Sequence, residues 1–337
     1  MSIKNSRKIS FRKARNLSGQ INQPLKIIAE IKLNLIQFYL INFAAMMILD
    51  GKIVSQAVKD TLKEKLATLK EQQKKTPHLA AVLVGSNGAS ETYVASKIRN
   101  CAEVGFISSL VRLEENISEE GLVAAITDLN NNDDVDGILV QLPLPPHINE
   151  ERIINLVDPS KDVDGFHPLN TGKMVQGLPT FIPATPYGIM LLLEHYKIDT
   201  AGKHAVVIGR SNIVGRPISI LLSQNTNPGN CTVTVCHSRT KNLKEICLQA
   251  DIIVAALGKA SFLTADMVKE NAVVIDVGIT RVPDETKKSG FAIKGDVDFE
   301  NVAPKCSYIT PVPGGVGLMT IAALLMNTYN AYMQKNN

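Results

Sequence analysis

The chain has no tryptophan, and aromatic residues make up only 5% of its 337 positions. That is too few for the stacked-ring platforms that hold single-stranded nucleic acid. Cysteine is scarce and scattered. Cys101, Cys231, Cys236, Cys247 and Cys306 form no C-x-x-C pair. An odd, dispersed set in a chain of this size points to reduced thiols in a cytoplasmic protein rather than to a disulfide framework. The six histidines show no H-x-x-x-H spacing and no pairing with cysteine, so no metal is expected. A long apolar run is also missing. The best candidate, Leu33 to Leu49, is broken by Asn34, Gln37 and Asn42, whereas a membrane helix needs ~20 nearly unbroken apolar residues. Neither a membrane nor a nucleic-acid partner is expected.

What is present is ordinary for a globular protein: 45% apolar and 20% charged residues. The net charge of +4 is unevenly placed. Residues 1–46 hold eight Lys and Arg against one acid, Glu30, so the remainder is net acidic. Residues 1–29 lack acids altogether and mix Arg, Lys and Ser, the look of a transit peptide or a basic tail. Met46-Met47-Ile48-Leu49-Asp50-Gly51-Lys52 reads as a second start, so residues 1–46 are expected to be a dispensable extension outside the fold.

At ~150 residues per domain the length suggests two domains. The spacing predicts a helix over Leu62–Lys75 and strands at 79–84, 109–113 and 137–140. Helices fall between them, at 91–104 with Gly105 as C-cap and from Ser118 to Leu129. A second alternating block carries strands at 205–208, 232–235, 252–255 and 273–276. A helix at 191–196 leads into it and one at 321–333 closes it. Strand–helix alternation of this kind means βαβ units and parallel sheets, so the fold class is α/β. Residues 141–187 are rich in Pro and Gly and read as a long loop, usually a functional feature.

Ala205-Val-Val-Ile-Gly209-Arg210-Ser211-Asn-Ile-Val-Gly215-Arg-Pro217 is a strand, a tight turn and a helix start. Its two glycines let a phosphate approach the backbone, and the helix N-terminus attracts anions. Ser211 stands where the common fingerprint has its middle glycine. The next strand ends in Cys236-His237-Ser238-Arg239, where an NAD-selective fold carries Asp or Glu for the ribose hydroxyls. Arg210 and Arg239 suit a 2′-phosphate instead, which indicates NADP. The segment Asp276-Val-Gly278-Ile279 adds small residues at a strand end, where cofactors of such sheets lie.

In the first block Ser90, Tyr93 and Lys97 fall at i, i+3 and i+7 and share one helix face. An ordinary amphipathic pair has the same spacing. Gln141 follows the strand at 137–140. In Lys161-Asp162-Val-Asp164-Gly165 either acid could recognise an N–H-rich ring. Thr310-Pro-Val-Pro313-Gly314-Gly315-Val-Gly317 is a rigid and then permissive loop against which a planar ligand could lie.

Taken in order, Tyr93-x-x-x-Lys97, Val140-Gln141-Leu-Pro-Leu-Pro145, Lys161-Asp-Val-Asp-Gly165, Thr185-Pro186-x-Gly188, Val207 to Pro217 and Pro313-Gly-Gly-Val-Gly317 resemble the bifunctional methylenetetrahydrofolate dehydrogenase/methenyltetrahydrofolate cyclohydrolase family, short bacterial type. The resemblance runs from Ile48 to the C-terminus. It implies a catalytic, folate-binding domain from residues 47–187 plus 318–337 and a Rossmann-like NADP-binding domain from 188–317. A cleft would lie between them, and two copies would pair as a homodimer. It further implies Lys97 as the catalytic lysine, Gln141 as its partner and Tyr93 as the ring packing on folate. Asp164 and nearby Ser90 would bind the pterin, with Pro313, Gly314 and Gly315 beside it. Gly209, Arg210, Ser211, Gly215, Ser238, Arg239, Gly278 and Ile279 would hold NADP. Two positions depart from the family pattern, Ala184 in place of Cys and Leu318 in place of Pro, and both are expected to flank the cleft. A shikimate-dehydrogenase-like enzyme, or a catalytically dead NADP-binding regulator, would share parts of this pattern.

Overall fold

Two parallel sheets organise the chain. The computed structural model describes residues 46–287 and 290–336, so the expectation for the extension lies outside the described residues except at Met46. Strand β1 (Met47–Ile48) leads into helix α1 (Gly51–Glu71). There follow β2 (His78–Val84), α2 (Gly88–Val104), β3 (Ile107–Leu113), α3 (Glu119–Asn131) and β4 (Gly137–Val140). Strands β2, β3 and β4 form a three-stranded sheet in the order β3-β2-β4.

Three short helices follow: α4 (Glu150–Leu156), α5 (Pro168–Val175) and α6 (Ala184–His195). The second block holds β5 (His204–Ile208), α7 (Gly215–Ser223), β6 (Thr232–Cys236), α8 (Leu243–Cys247), β7 (Ile252–Ala255) and β8 (Ala272–Asp276). A hairpin of β9 (Thr280–Pro283) and β10 (Phe291–Lys294) precedes α9 (Phe299–Val302), β11 (Cys306–Ile309) and the last helix, α10 (Val316–Asn336). The larger sheet is six-stranded and parallel, in the order β1-β11-β8-β7-β5-β6.

The central strands β2, β4, β5, β7 and β8 are nearly continuous apolar runs because helices cover both faces of each sheet, whereas the edge strands β3 and β6 carry Ser, Arg and Thr. Leu62, Leu66 and Leu69 place one face of α1 against Leu79, Ala81 and Leu83 of β2. The opposite face of that sheet packs on Leu122 and Ile126 of α3. Helix α10 joins the two sheets. Its Val316, Met319 and Ala322 enter the core of the large sheet, and its Ala323, Leu324 and Leu325 enter that of the small one. Each such buried Val, Leu, Ile or Met contributes about 1.5–3 kcal/mol, and the alanines less. Gly188 of α6 lets that helix approach Met319 closely, since a Cβ there would sit 2.7 Å from the Met319 Cβ.

Several elements differ from expectation. Helix α1 begins at Gly51, not Leu62, because the Asp50 carboxylate caps it, accepting from Lys52 N at 2.7 Å. The region 141–187 is not one long loop. It holds α4, α5 and the start of α6, whose prolines sit where a helix needs no N–H or just before it: Pro168 opens α5 and Pro183 is the N-cap of α6. Helix α10 starts five residues early, at Val316. The β9–β10 hairpin and β11 were not anticipated, since four-residue strands carry little period.

Candidate active site

Asn87 starts α2 by accepting from Ala89 N and Ser90 N at 3.0 and 3.2 Å. The helix then presents Ser90, Tyr93 and Lys97 along one side, with Ser90 buried and Tyr93 exposed. Lys97 Nζ donates to Gln141 Oε1 at 3.2 Å. Gln141 is held at the carboxyl end of β4. Its N–H donates to Val82 O at 2.9 Å, and its side-chain amide donates to Leu142 O at 2.6 Å. The amide is thereby oriented with its oxygen toward the lysine. Burial holds the Lys97 ammonium below the usual lysine range, and the nearby Asp164 carboxylate only partly offsets this.

The acids of Lys161-Asp-Val-Asp-Gly165 separate cleanly. Lys161 donates to the carbonyls of Leu129, Asn130 and Asn132 at 2.7–3.0 Å and so ties down the end of α3. Asp162 is buried and accepts from Phe166 N, His167 N and Asn170 Nδ2 at 3.2, 2.8 and 2.9 Å. Both are structural. Asp164 faces Lys97 instead. Its carboxyl is pushed up to about 6 by burial, with the Lys97 charge pulling it down and the Asp162 charge adding to the rise. Gly165, at φ +72°, turns the chain directly after it. A side chain there would strike the Pro183 nitrogen.

Beside Tyr93 opens a cavity of about 430 Å³. Ser96, Gly278, Ile279, Pro313, Gly314 and Gly315 line it. Leu318 lines it as well, whereas Ala184 does not flank it. Ala184 is buried among Val163, Phe181 and Ala323, as its apolar methyl requires.

At the large sheet Gly209 and Gly215 make the tight turn between β5 and α7, with Gly209 at φ +137°. The Ser211 hydroxyl accepts from Val214 N and Gly215 N, each at 3.2 Å, so it ties the turn where a glycine would leave it loose. Ile208 pairs with Cys236, and Gly209 N donates to Cys236 O at 2.9 Å. That register puts Arg210 and Ser211 beside Ser238 and Arg239, all four exposed at one end of the sheet. Neither arginine forms an ion pair among the described residues, and the end of β6 carries no acid. Also among these residues, no group of three or more His, Cys, Asp or Glu could hold a metal ion, and no helix is long and apolar enough to cross a membrane.

Two family models match the chain: the tetrahydrofolate dehydrogenase/cyclohydrolase catalytic domain over residues 49–164 and the NAD(P)-binding domain of the same family over residues 183–336. A Cytophaga hutchinsonii protein named bifunctional protein FolD is 61% identical over 286 residues, 85% of this chain and 99% of the relative. The chain belongs to the tetrahydrofolate dehydrogenase/cyclohydrolase family. The Campylobacter jejuni FolD methylenetetrahydrofolate dehydrogenase/cyclohydrolase superposes with a TM-score of 0.81 at 52% identity, covering 86% of this chain and 99% of that one. The Trypanosoma brucei enzyme, solved with NADP and an inhibitor, gives 0.81 at 35% identity, covering 86% and 98%. The two-domain α/β reading therefore stands, with parallel sheets in both parts.

One feature of this family member escaped the sequence reading. Asp276 at the end of β8 and Asp296 after β10 are buried side by side. Asp276 accepts from Gly278 N, Asp296 N and Val297 N at 2.8–2.9 Å. Asp296 accepts from Leu257 N, Gly258 N and Lys259 N at 2.6–2.9 Å. Burial pushes the Asp276 carboxyl up to about 6 against its own hydrogen bonds. The two carboxylates thus set the loops after β7 and β8. Only Gly278 and Gly295 hint at them in the sequence, because a side chain at either glycine would collide with a carboxylate.

Proposed function

We propose that the chain oxidises 5,10-methylenetetrahydrofolate to 5,10-methenyltetrahydrofolate with NADP and then hydrolyses the product to 10-formyltetrahydrofolate, both in the cleft between a catalytic domain (47–187 plus 318–337) and an NADP-binding domain (188–317). The observation that carries this reading is the Lys97–Gln141 contact beside the raised Asp164 carboxyl. It brings together a proton carrier, an orienting amide and an N–H acceptor, one helical turn from Tyr93, which walls a cavity with the Pro313-Gly314-Gly315 loop.

NADP bound across the ends of β5, β7 and β8 would accept the hydride. The residues present fit it: a glycine turn tied by Ser211, two unpaired arginines, and Gly278 and Ile279 on the cavity wall. Loss of hydride from the methylene carbon leaves a cation shared by two folate nitrogens. No base is required, so the protein's part is to hold both partners at reacting distance. Hydrolysis is more demanding. Water adds to the cationic carbon and loses a proton, then one carbon–nitrogen bond breaks and the departing nitrogen gains a proton. Lys97, with its basicity lowered by burial, is suited to move that proton. Gln141 orients it without adding a carboxylate that would raise its pKa again. Tyr93 stacks on the folate, and Ser90 lies beside the pterin.

Purified protein mixed with methylenetetrahydrofolate and NADP should show methenyl absorbance that rises and then decays. No methenyl signal would refute the reading. All five cysteines are buried and free, which supports a cytoplasmic enzyme. It is read as a homodimer, which sedimentation would test.

Arg210 and Arg239 should set cofactor choice. The double variant Arg210→Ala/Arg239→Ala is expected to raise KM for NADP about tenfold or more per arginine, each charge-assisted contact being worth about 1.5–3 kcal/mol. KM for NAD should barely move. Equal effects on both cofactors would refute the assignment.

Asp164 should govern folate. Asp164→Asn removes an acceptor for two pterin N–H groups, so KM for folate should rise in both reactions while NADP binding is kept. Stability should change the other way. A carboxyl whose folded pKa lies above its unfolded value binds protons more tightly in the native state, so its ionisation weakens the fold as pH rises from about 4 to about 6. Asp164→Asn should therefore raise Tm at pH 7.5, and the gain should vanish near pH 4. A lower Tm at pH 7.5 would show that the carboxylate is needed as a counterion to Lys97.

A further inference from the structure

The substrate of the proposed reaction is a flat pterin joined through an aminobenzoyl ring to a glutamate with two carboxylates, and further glutamates can be added to it. The pterin end has its partners in Lys97 and Asp164. Nothing described so far answers the anionic end. The cavity beside Tyr93 has two charged side chains in its wall, Asp276 and Arg281. Asp276 is buried, and its carboxylate is engaged by three backbone N–H groups. That leaves Arg281 as the cation of this cavity among the described residues.

Arg281 lies on β9, two residues beyond Ile279, and is exposed. It pairs across the hairpin with Ile293 of β10, which also lines the cavity. Its guanidinium carbon stands 4.6 Å from the centre of the Phe291 ring, the residue diagonally across the hairpin. Stacking of this kind fixes the plane of the group and leaves its edge, with the N–H donors, for an acceptor. Among the described residues Arg281 has no carboxylate partner. An arginine fork held on a ring, without a carboxylate partner among the described residues, at the rim of a mostly apolar cavity is a receptor for carboxylate.

We infer that Arg281 binds the glutamate carboxylates of the folate tail and makes the enzyme favour polyglutamylated over monoglutamylated substrate. This rests on the proposed folate reaction. Tyr93 stands between the two ends. It is one helical turn from Lys97 and in the same cavity wall as Arg281, so a folate with its pterin at Lys97 and its aminobenzoyl ring on Tyr93 directs its tail toward the hairpin. Each added glutamate brings another negative charge near the guanidinium, and the attraction should weaken with salt.

The test compares mono- and pentaglutamyl methylenetetrahydrofolate at low ionic strength. In the unchanged enzyme KM for the pentaglutamate should be about 3–10-fold lower. Arg281→Ala should bring the two values together by raising KM for the pentaglutamate, and Arg281→Lys should keep part of the preference. Lys287→Ala, in the turn of the same hairpin, should keep all of it. Direct binding of mono- and pentaglutamyl tetrahydrofolate, followed by calorimetry, separates this inference from the reaction. Tail-dependent binding without turnover would sink the reaction and support the site. The inference is overturned if Arg281→Ala leaves the preference intact, if Lys287→Ala erases it equally, or if Arg281→Ala acts chiefly by raising KM for NADP.

Discussion

Lys97→Gln is expected to abolish hydrolysis of methenyltetrahydrofolate while hydride transfer persists. Glutamine has nearly the reach and polarity of lysine but exchanges no proton in this pH range. The hydrolytic step should therefore lose the ~10²–10⁴-fold that positioned acid–base catalysis supplies. Oxidation asks only for geometry, which the cavity wall around Tyr93 and the Pro313-Gly314-Gly315 loop still provides when the Lys97 amine is gone. Methenyl absorbance should then rise and stay. The pH profile adds a second readout. Burial lowers the Lys97 pKa, so hydrolysis by the unchanged enzyme should climb with pH as the amine loses its proton, and that limb should be missing in the variant. If Lys97 is only a solvated helix residue, both rates will stay close to normal. Retained hydrolysis with folate still bound would leave the second step without a proton carrier.

The parts of this site that were legible in the sequence are those whose chemistry is local. Tyr93 and Lys97 share a helix face through spacing alone. Gly209, Ser211 and Gly215 announce a phosphate turn because turn geometry restricts residue type. The strands were legible because a sheet covered on both faces needs unbroken apolar runs. Asp162 and Asp164 could not be told apart from sequence, since the choice depends on which carboxylate the turn's own N–H groups consume. That is a fact of folding, settled by Phe166, His167 and Asn170. The region 141–187 misled because Pro168, Pro183 and Pro186, of a type that usually breaks helices, stand at helix starts. Arg281 and Asp296 escaped because one lies on a four-residue strand and the other just after one, where periodicity is silent. Asp296 reaches Leu257 across 39 residues.

Asp296 should divide the two activities from the opposite side. Its carboxylate lies in the NADP-binding part of the chain and accepts from three successive amides, Leu257, Gly258 and Lys259, in the loop after β7. Dinucleotides lie against such strand ends, so the loop's position is a condition for placing the nicotinamide. Asp296→Ala removes a fully buried carboxylate and leaves the three part-buried amides of Leu257, Gly258 and Lys259 without it, at up to about 1–3 kcal/mol each where water cannot replace it. Asp296→Asn keeps the size and one oxygen but turns an NH₂ toward N–H donors, so part of the cradle must open. Both variants should lose dehydrogenase kcat/KM, by about tenfold for the Asn form: its oxygen can keep Leu257 N and Gly258 N, and the lost contact to Lys259 N costs about 1–3 kcal/mol, around the roughly 1.4 kcal/mol that a factor of ten requires. Hydrolysis of added methenyltetrahydrofolate, assayed without cofactor, should stay within about threefold in the Asn form, because Lys97 on α2 and Gln141 just after β4 belong to the small-sheet part of the chain and make no hydrogen bond to this loop. The Ala form should also melt lower. Parallel loss of both activities in Asp296→Asn would mean that the residue holds up the whole fold rather than the cofactor loop. An unchanged dehydrogenase would mean that the loop does not touch the cofactor at all.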